Sequence, residues 1–140
     1  MRFYLDTNII AFILFDKRLD DNCDNNVYNI LSNYENVFYI STIAMRELVK
    51  LYNDGELKSL KNKSKTDIFF LLDEYNIEIK PFTKHHVITY ANLDLFEDHK
   101  DPNDHMIIAQ SISDKIPIIS SDRKFKLYEN QGLQLVFNKR

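Results

Sequence analysis

Two short apolar runs in this chain each stop at an aspartate, and that pairing constrains the fold more than any other feature. Phe3-Tyr4-Leu5 ends at Asp6, after which Ile9, Ile10, Phe12, Ile13 and Leu14 recur at helical spacing. The β-branched run from Ile116 to Ser120 ends at Ser121-Asp122. An apolar run of this length predicts a buried strand, and an alternation of such strands with amphipathic helices predicts a parallel sheet with right-handed crossovers. Both aspartates then fall on the carboxyl edge of one sheet, where open α/β folds bind their ligands. At 140 residues and 44% hydrophobic, with 2 Gly and 3 Pro, the sequence predicts one α/β domain over 1–140 with short loops.

The remaining elements follow from periodicity. A polar connection from Asp16 to Asn26 precedes a helix marked by Val27, Ile30, Leu31 and Tyr34, with Asp24 or Asn25 as its cap. Val37–Ile40 reads as a second strand. Ser41 or Thr42 caps a helix striped by Ala44, Leu48 and Leu51, which Asp54-Gly55 ends. Lys58, Lys61, Lys63 and Lys65 crowd the next connection, before a helix carrying Ile68, Phe69, Leu71, Leu72 and Tyr75. Ile77–Lys80 alternates as a strand and Pro81 stops it. A helix from Lys84 to about Phe96, another opened by Asp101-Pro102, a helical turn at Lys124–Tyr128 and a strand at Leu133–Phe137 complete the prediction.

Several classes are set aside by composition. No apolar run approaches the ~18 residues of a membrane span, and Met1-Arg2 leads straight into a strand, so a cytoplasmic protein without a membrane partner is expected. The lone Cys23 forms no internal disulfide and reads as a small packed residue. A net charge of −3 and a pI near 5.8 mean that nucleic-acid binding needs a local basic patch or a bound cation. Lys50, Arg123 and Lys124, with the lysines of 58–65, are the candidate backbone contacts, against an ordinary reading as solvated surface. His85, His86, His99 and His105 lack HxxxH or HExxH spacing, which argues against zinc; His105 reads either as a pocket-rim residue or as packing.

Taken one at a time, the acids are bland. Asp6, Asp101 and Asp122 each suit a helix N-cap, and Asp104 suits the first turn after Pro102. Glu47 fits that reading less well. It lies about 60° from the Ala44–Leu48–Leu51 stripe at ~100° per residue, on the border of a buried face. Together the acids matter more, because carboxylates gathered at one edge raise one another's pKa unless a cation sits between them. Hard oxygen ligands suit Mg²⁺ or Mn²⁺.

Four segments in order, Leu5-Asp-Thr-Asn8, Ser41-Thr-Ile-Ala-Met-Arg-Glu47, Asp101-Pro-Asn-Asp-His-Met-Ile-Ile-Ala-Gln110 and Ile118-Ile-Ser-Ser-Asp122, resemble the PIN-domain family. Within it the resemblance is to VapC-like toxins of toxin–antitoxin pairs, over nearly the whole chain. The resemblance implies a five-stranded parallel sheet flanked by helices and a Mg²⁺- or Mn²⁺-dependent ribonuclease. It implies catalytic, metal-holding roles for Asp6, Glu47, Asp104 and Asp122, with Asp6 as the shared ligand. It also implies support from Asn8 and Ser120, an antitoxin that covers the acidic groove, and homodimers. Asp101 is expected to cap the helix that positions Asp104. His105 and Asn103 depart from the residues usual at their positions, which bears on substrate preference more than chemistry. Two other readings stand beside this one. A phosphatase with Asp6 as nucleophile lacks its second acid, since position 8 is Asn; a non-catalytic PIN-like module would bind RNA or protein without cutting.

Overall fold

The computed structural model describes residues 1–15, 22–56 and 65–139. In chain order the elements are β1 (Arg2–Leu5), α1 (Thr7–Phe15), α2 (Asn25–Ser32), β2 (Val37–Ser41), α3 (Thr42–Asn53), α4 (Lys65–Glu74) and β3 (Ile77–Lys80). They continue with α5 (Lys84–Asn92), α6 (Pro102–Asp114), β4 (Ile118–Ser120), a 3₁₀ helix (Arg123–Gln131) and β5 (Leu135–Phe137). The five strands form one sheet in the order β3-β2-β1-β4-β5, with every neighbouring pair parallel.

That order sets the location of the site. The chain builds outward from β1 through β2 to β3, then returns to place β4 on the other side of β1. With right-handed crossovers this reversal covers both faces of the sheet with helices. It also opens a crevice at the carboxyl ends of β1 and β4, the switch point of the topology. Tyr4 pairs with Ile118 and Leu5 with Ile119, so Asp6 and Ser120 come next across the crevice. Burial explains the near-continuous apolar character of these strands: Tyr4, Leu5, Ile118 and Ile119 are all 1% exposed or less. Ile9 and Ile10 of α1, Leu48 of α3 and Ile107 and Ile108 of α6 complete the core around them.

Local signals end most elements where the sequence predicts. Asp24 caps α2 through Val27 N, Ser41 caps α3 through Ile43 N, and Gly55 takes φ +74 just past the end of α3. Asp101 caps α6 through Asn103 N, with Pro102 at the first position.

Other boundaries shift. The helix expected to reach Phe96 ends at Asn92, because Gln131 binds both the amide and the carbonyl of Asp94 at 2.9 Å and draws the chain away. The turn expected at Lys124–Tyr128 is a 3₁₀ helix over Arg123–Gln131, closed by Gly132 at φ 103. The last two strands are shorter than predicted; Ile116 and Leu133 are buried, but neither joins the ladder. Tyr34 lies beyond α2 and is 94% exposed, and Phe69, assigned to an apolar stripe, is also exposed. Lys65 begins α4 instead of belonging to the preceding connection; Lys58, Lys61 and Lys63 lie outside the described residues. No helix among the described residues is long and apolar enough to cross a membrane.

Candidate active site

Asp6 anchors the site. Its backbone amide closes the ladder on Ile119 O (3.0 Å), which fixes the residue at the end of β1. Its side chain is buried, and both oxygens are engaged: Oδ1 accepts from Thr7 N (2.8 Å), and Oδ2 from Ser120 Oγ (2.6 Å) and Asn8 Nδ2 (3.2 Å). The Asp6 carbonyl accepts from Ile9 N and Ile10 N, so the backbone, not the side chain, starts α1. The capping reading of the Asp6 carboxylate is thereby replaced by a supported, inward-facing one.

Ser120 has two tasks. Its Oγ donates to Asp6 and accepts from Asp122 N at 3.0 Å, which fixes the turn leaving β4. Asp122 in turn caps the 3₁₀ helix through Lys124 N (2.9 Å). Asn8 joins the two edges, donating to Asp6 and accepting from Ser121 N (3.4 Å). Glu47 sits half-buried on α3, as its helical position requires, and accepts from Thr7 Oγ1 at 2.7 Å.

Asp104 is common to two groups of possible metal-holding side chains. One joins it to Glu47 and Asp101, the other to His99 and Asp122, and in each group one donor atom per residue lies within 4.8 Å of the others. Asp6 belongs to neither group. It is nonetheless close enough that the charges of Asp104 and Glu47 raise its pKa. The structure thus brings Glu47 and Asp101 to Asp104 in one group and Asp122 to it in the other, with Asp6 coupled by charge to Asp104 and Glu47.

The electrostatics are frustrated. Burial, reinforced by Asp104 and Glu47, pushes Asp6 up to about 7 despite the hydrogen bonds from Ser120 and Thr7. Burial followed by Asp101, Asp122 and Glu47 pushes Asp104 to about 7 as well. The charge of Lys124 opposes that rise. A buried acid and a half-buried one, both raised by neighbouring acids, form a site that a divalent cation would relieve. The donors are mostly carboxylate oxygens, and that chemistry fits Mg²⁺ or Mn²⁺.

The sequence reading does not single out His99 or Thr7. His99 is buried; Nε2 donates to Asp104 Oδ2 (3.0 Å), and Nδ1 accepts from Tyr128 Oη (3.0 Å). Burial lowers the His99 pKa, in keeping with a neutral ring assigned this tautomer by its partners. His105 packs instead of reaching the rim: it is buried, and its Nε2 donates to His99 O at 2.7 Å. Lys50 is in an exposed i,i+4 pair with Asp54 at 3.0 Å. Arg123 and Lys124 are exposed beside Asp122.

The profile of the PIN domain family matches residues 3–130. No curated protein matches the sequence. Among solved structures, VapBC2 from Rickettsia felis, bound to a DNA fragment from its promoter, is similar at TM-score 0.62 and 23% identity, covering 99% of both chains. VapBC-1 from nontypeable Haemophilus influenzae is similar at TM-score 0.67 and 18% identity, covering 100% of both. VapBC-5 from Mycobacterium tuberculosis, a member of the VapBC family of toxin-antitoxin systems, is similar at TM-score 0.54 and 16% identity, covering 98% of this chain and 97% of that one.

Proposed function

The chain belongs to the PIN domain family, and on that premise we propose that it is a metal-dependent ribonuclease that hydrolyses RNA phosphodiester bonds as the toxin of a toxin–antitoxin pair. One observation carries the reading: Asp6 and Asp104, both raised to about 7, face Glu47 and further acids at the switch point of the sheet. A fold gains nothing in stability from such crowding, whereas a cation site requires it.

In this reading Asp6, Glu47, Asp104 and Asp122 hold Mg²⁺ or Mn²⁺. A cation bound there supplies a water of lowered pKa and offsets charge on the phosphate and the leaving oxygen. The chain's own residues do the positioning. Ser120, Asn8 and the Thr7 amide fix the Asp6 carboxylate, Thr7 Oγ1 aims Glu47, and His99 holds one oxygen of Asp104. Asp101 holds the first turn of α6, and with it Asp104, in register. Arg123 and Lys124 meet the RNA backbone beside Asp122. Lys50 is the weakest of the proposed contacts, since Asp54 already meets its charge.

The proposed partners follow from the same reading. An antitoxin with cationic side chains would neutralise the acidic centre as a metal does. Exposed apolar side chains such as Phe70, Val87 and Ile88 offer surface for an antitoxin or for a second copy of the chain. The site of action would be the cytoplasm.

The test is cleavage of a structured RNA by the purified protein with EDTA, Mg²⁺ or Mn²⁺, beside Asp6→Asn. Metal-dependent cutting lost in the variant is expected; equal cutting by the two proteins would sink the assignment. Metal-dependent stabilisation of the wild type alone, without cutting by either, would mean that the site is real and the substrate or release from an antitoxin is missing. The absence of both cutting and metal binding would point to a non-catalytic binding module.

A further inference from the structure

We propose that a basic cleft adjoining the acid centre binds the RNA backbone at phosphates beyond the one that is cut; for its substrate, this rests on the nuclease reading above. The cleft, about 440 Å³, is lined by Ser121, Arg123, Lys126, Phe137, Asn138 and Lys139. Asp122 stands between Ser121 and Arg123 in the chain, so the cleft opens next to the proposed catalytic acids.

Among the described residues its lining carries three cations and no carboxylate. Among the described residues no ion pair involves Arg123, Lys126 or Lys139. The charge of Lys139 acts on Asp24, whose oxygens accept from the backbone amides of Val27 (2.8 Å) and Lys139 (2.9 Å). Lys126 Nζ lies 4.0 Å from the centre of the Phe137 ring, a contact that holds an ammonium without neutralising it. In a chain of net charge −3, three cations that form no ion pair among the described residues, in one small cleft, mirror the crowded carboxylates next door. Each cluster calls for a counter-charge.

The floor is rigid and neutral. Asn138 is 1% exposed; its Nδ2 donates to Ser121 Oγ (2.9 Å) and Asn22 O (2.7 Å), and its Oδ1 accepts from Asp24 N (2.8 Å). Asn138 N also donates to Ser120 O at 2.8 Å, on the residue whose hydroxyl holds Asp6. The cleft and the acid centre therefore share one framework, and a strand seated in the first is fixed relative to the second. A phosphodiester backbone fits this lining better than a base, because Lys126 already covers the aromatic face.

The test is fluorescence anisotropy with a labelled single-stranded oligoribonucleotide over a NaCl series. It compares Asp6→Asn with the same protein carrying Lys126→Gln and Lys139→Gln. The proposal expects affinity to fall about tenfold and the slope of log K against log salt to shrink by roughly 1–2. Lys84→Gln, an exposed lysine away from the cleft, should change neither. In the cleaving protein the double variant should raise KM with a smaller effect on kcat. Unchanged affinity and slope would overturn the proposal. So would displacement of the RNA by an oligoglutamate of equal charge at equal concentration, which would assign the cleft to an acidic protein segment. The two readings fail separately. If the lysine variants lose RNA affinity and no RNA is cut, the cleft stands and the nuclease falls. Metal-dependent cutting with KM untouched by the variants leaves the nuclease standing without the cleft.

Discussion

Helix α6 carries an Asp–His pair at each end, and the two are built alike but behave in opposite ways. At its start Asp104 accepts from His99 at 3.0 Å; at its end Asp114 lies 2.9 Å from His86. Burial pushes both aspartates up. At Asp114 the Tyr4 hydroxyl, His86 and the charge of Lys80 outweigh burial and hold the carboxyl below its usual range. At Asp104 the neighbours are Asp101, Asp122 and Glu47, and they add to burial. The Asp114 end is closed on itself: Gln110 donates to Tyr4 Oη, Ser41 Oγ donates to Gln110 Oε1, and His86 Nδ1 accepts from Thr83 N. One end of the helix is a finished polar network and the other lacks a counter-charge. An Asp–His pair is therefore not itself the mark of a site; the company it keeps decides.

The largest expected break in this comparison is in activity. Asp104→Asn should reduce cleavage by more than the ~10²-fold upper range typical of losing a supporting partner, while the metal-free fold becomes no less stable. Asp114→Ala should do the reverse, costing about 1–3 kcal/mol of stability by unpairing buried donors and leaving cleavage largely intact. Parallel cleavage assays and urea melts check both.

Next in size is the dependence of stability on pH. Asp6 and Asp104 titrate at about 7 in the fold against an ordinary 3.8, so the folded state binds more protons in that window. Metal-free stability should accordingly fall as pH rises from about 4 to about 7 and level off above. Asp114, held low, contributes stability above the ordinary range that is lost as acid protonates it. Thermal melts in EDTA should show the first limb shrinking in Asp104→Asn and only the acid limb shrinking in Asp114→Ala.

The smallest effect sharpens the contrast within the acid centre. Thr7→Val removes the donor that aims Glu47 and should lower activity or metal affinity about tenfold with little change in stability. Steady-state kinetics across a metal titration measure it.

Much of the centre was legible in the sequence because its acids sit at places that local rules define. Asp6 and Asp122 end apolar strands, Glu47 borders a helical stripe, and Asp104 follows a cap and a proline. The rest depends on tertiary contacts with no local signature. His99 lies in an aperiodic stretch between α5 and α6, and only the path of that stretch brings its ring to Asp104 and Tyr128. Thr7 finds Glu47 across forty positions, and Gln131 ends α5 through Asp94 across thirty-seven. Caps and periodicity speak for neighbours in sequence, not for residues that meet only after folding.

The central claim is that the raised acids of α6 and β1 exist to hold a cation. Isothermal titration of Mn²⁺ into the protein at pH 7, in two buffers of different ionisation enthalpy, tests it most directly. The account predicts binding that releases about one proton or more per ion, lost in Asp104→Asn and kept in Asp114→Ala. Binding without proton release, or no loss of binding in Asp104→Asn, would contradict it.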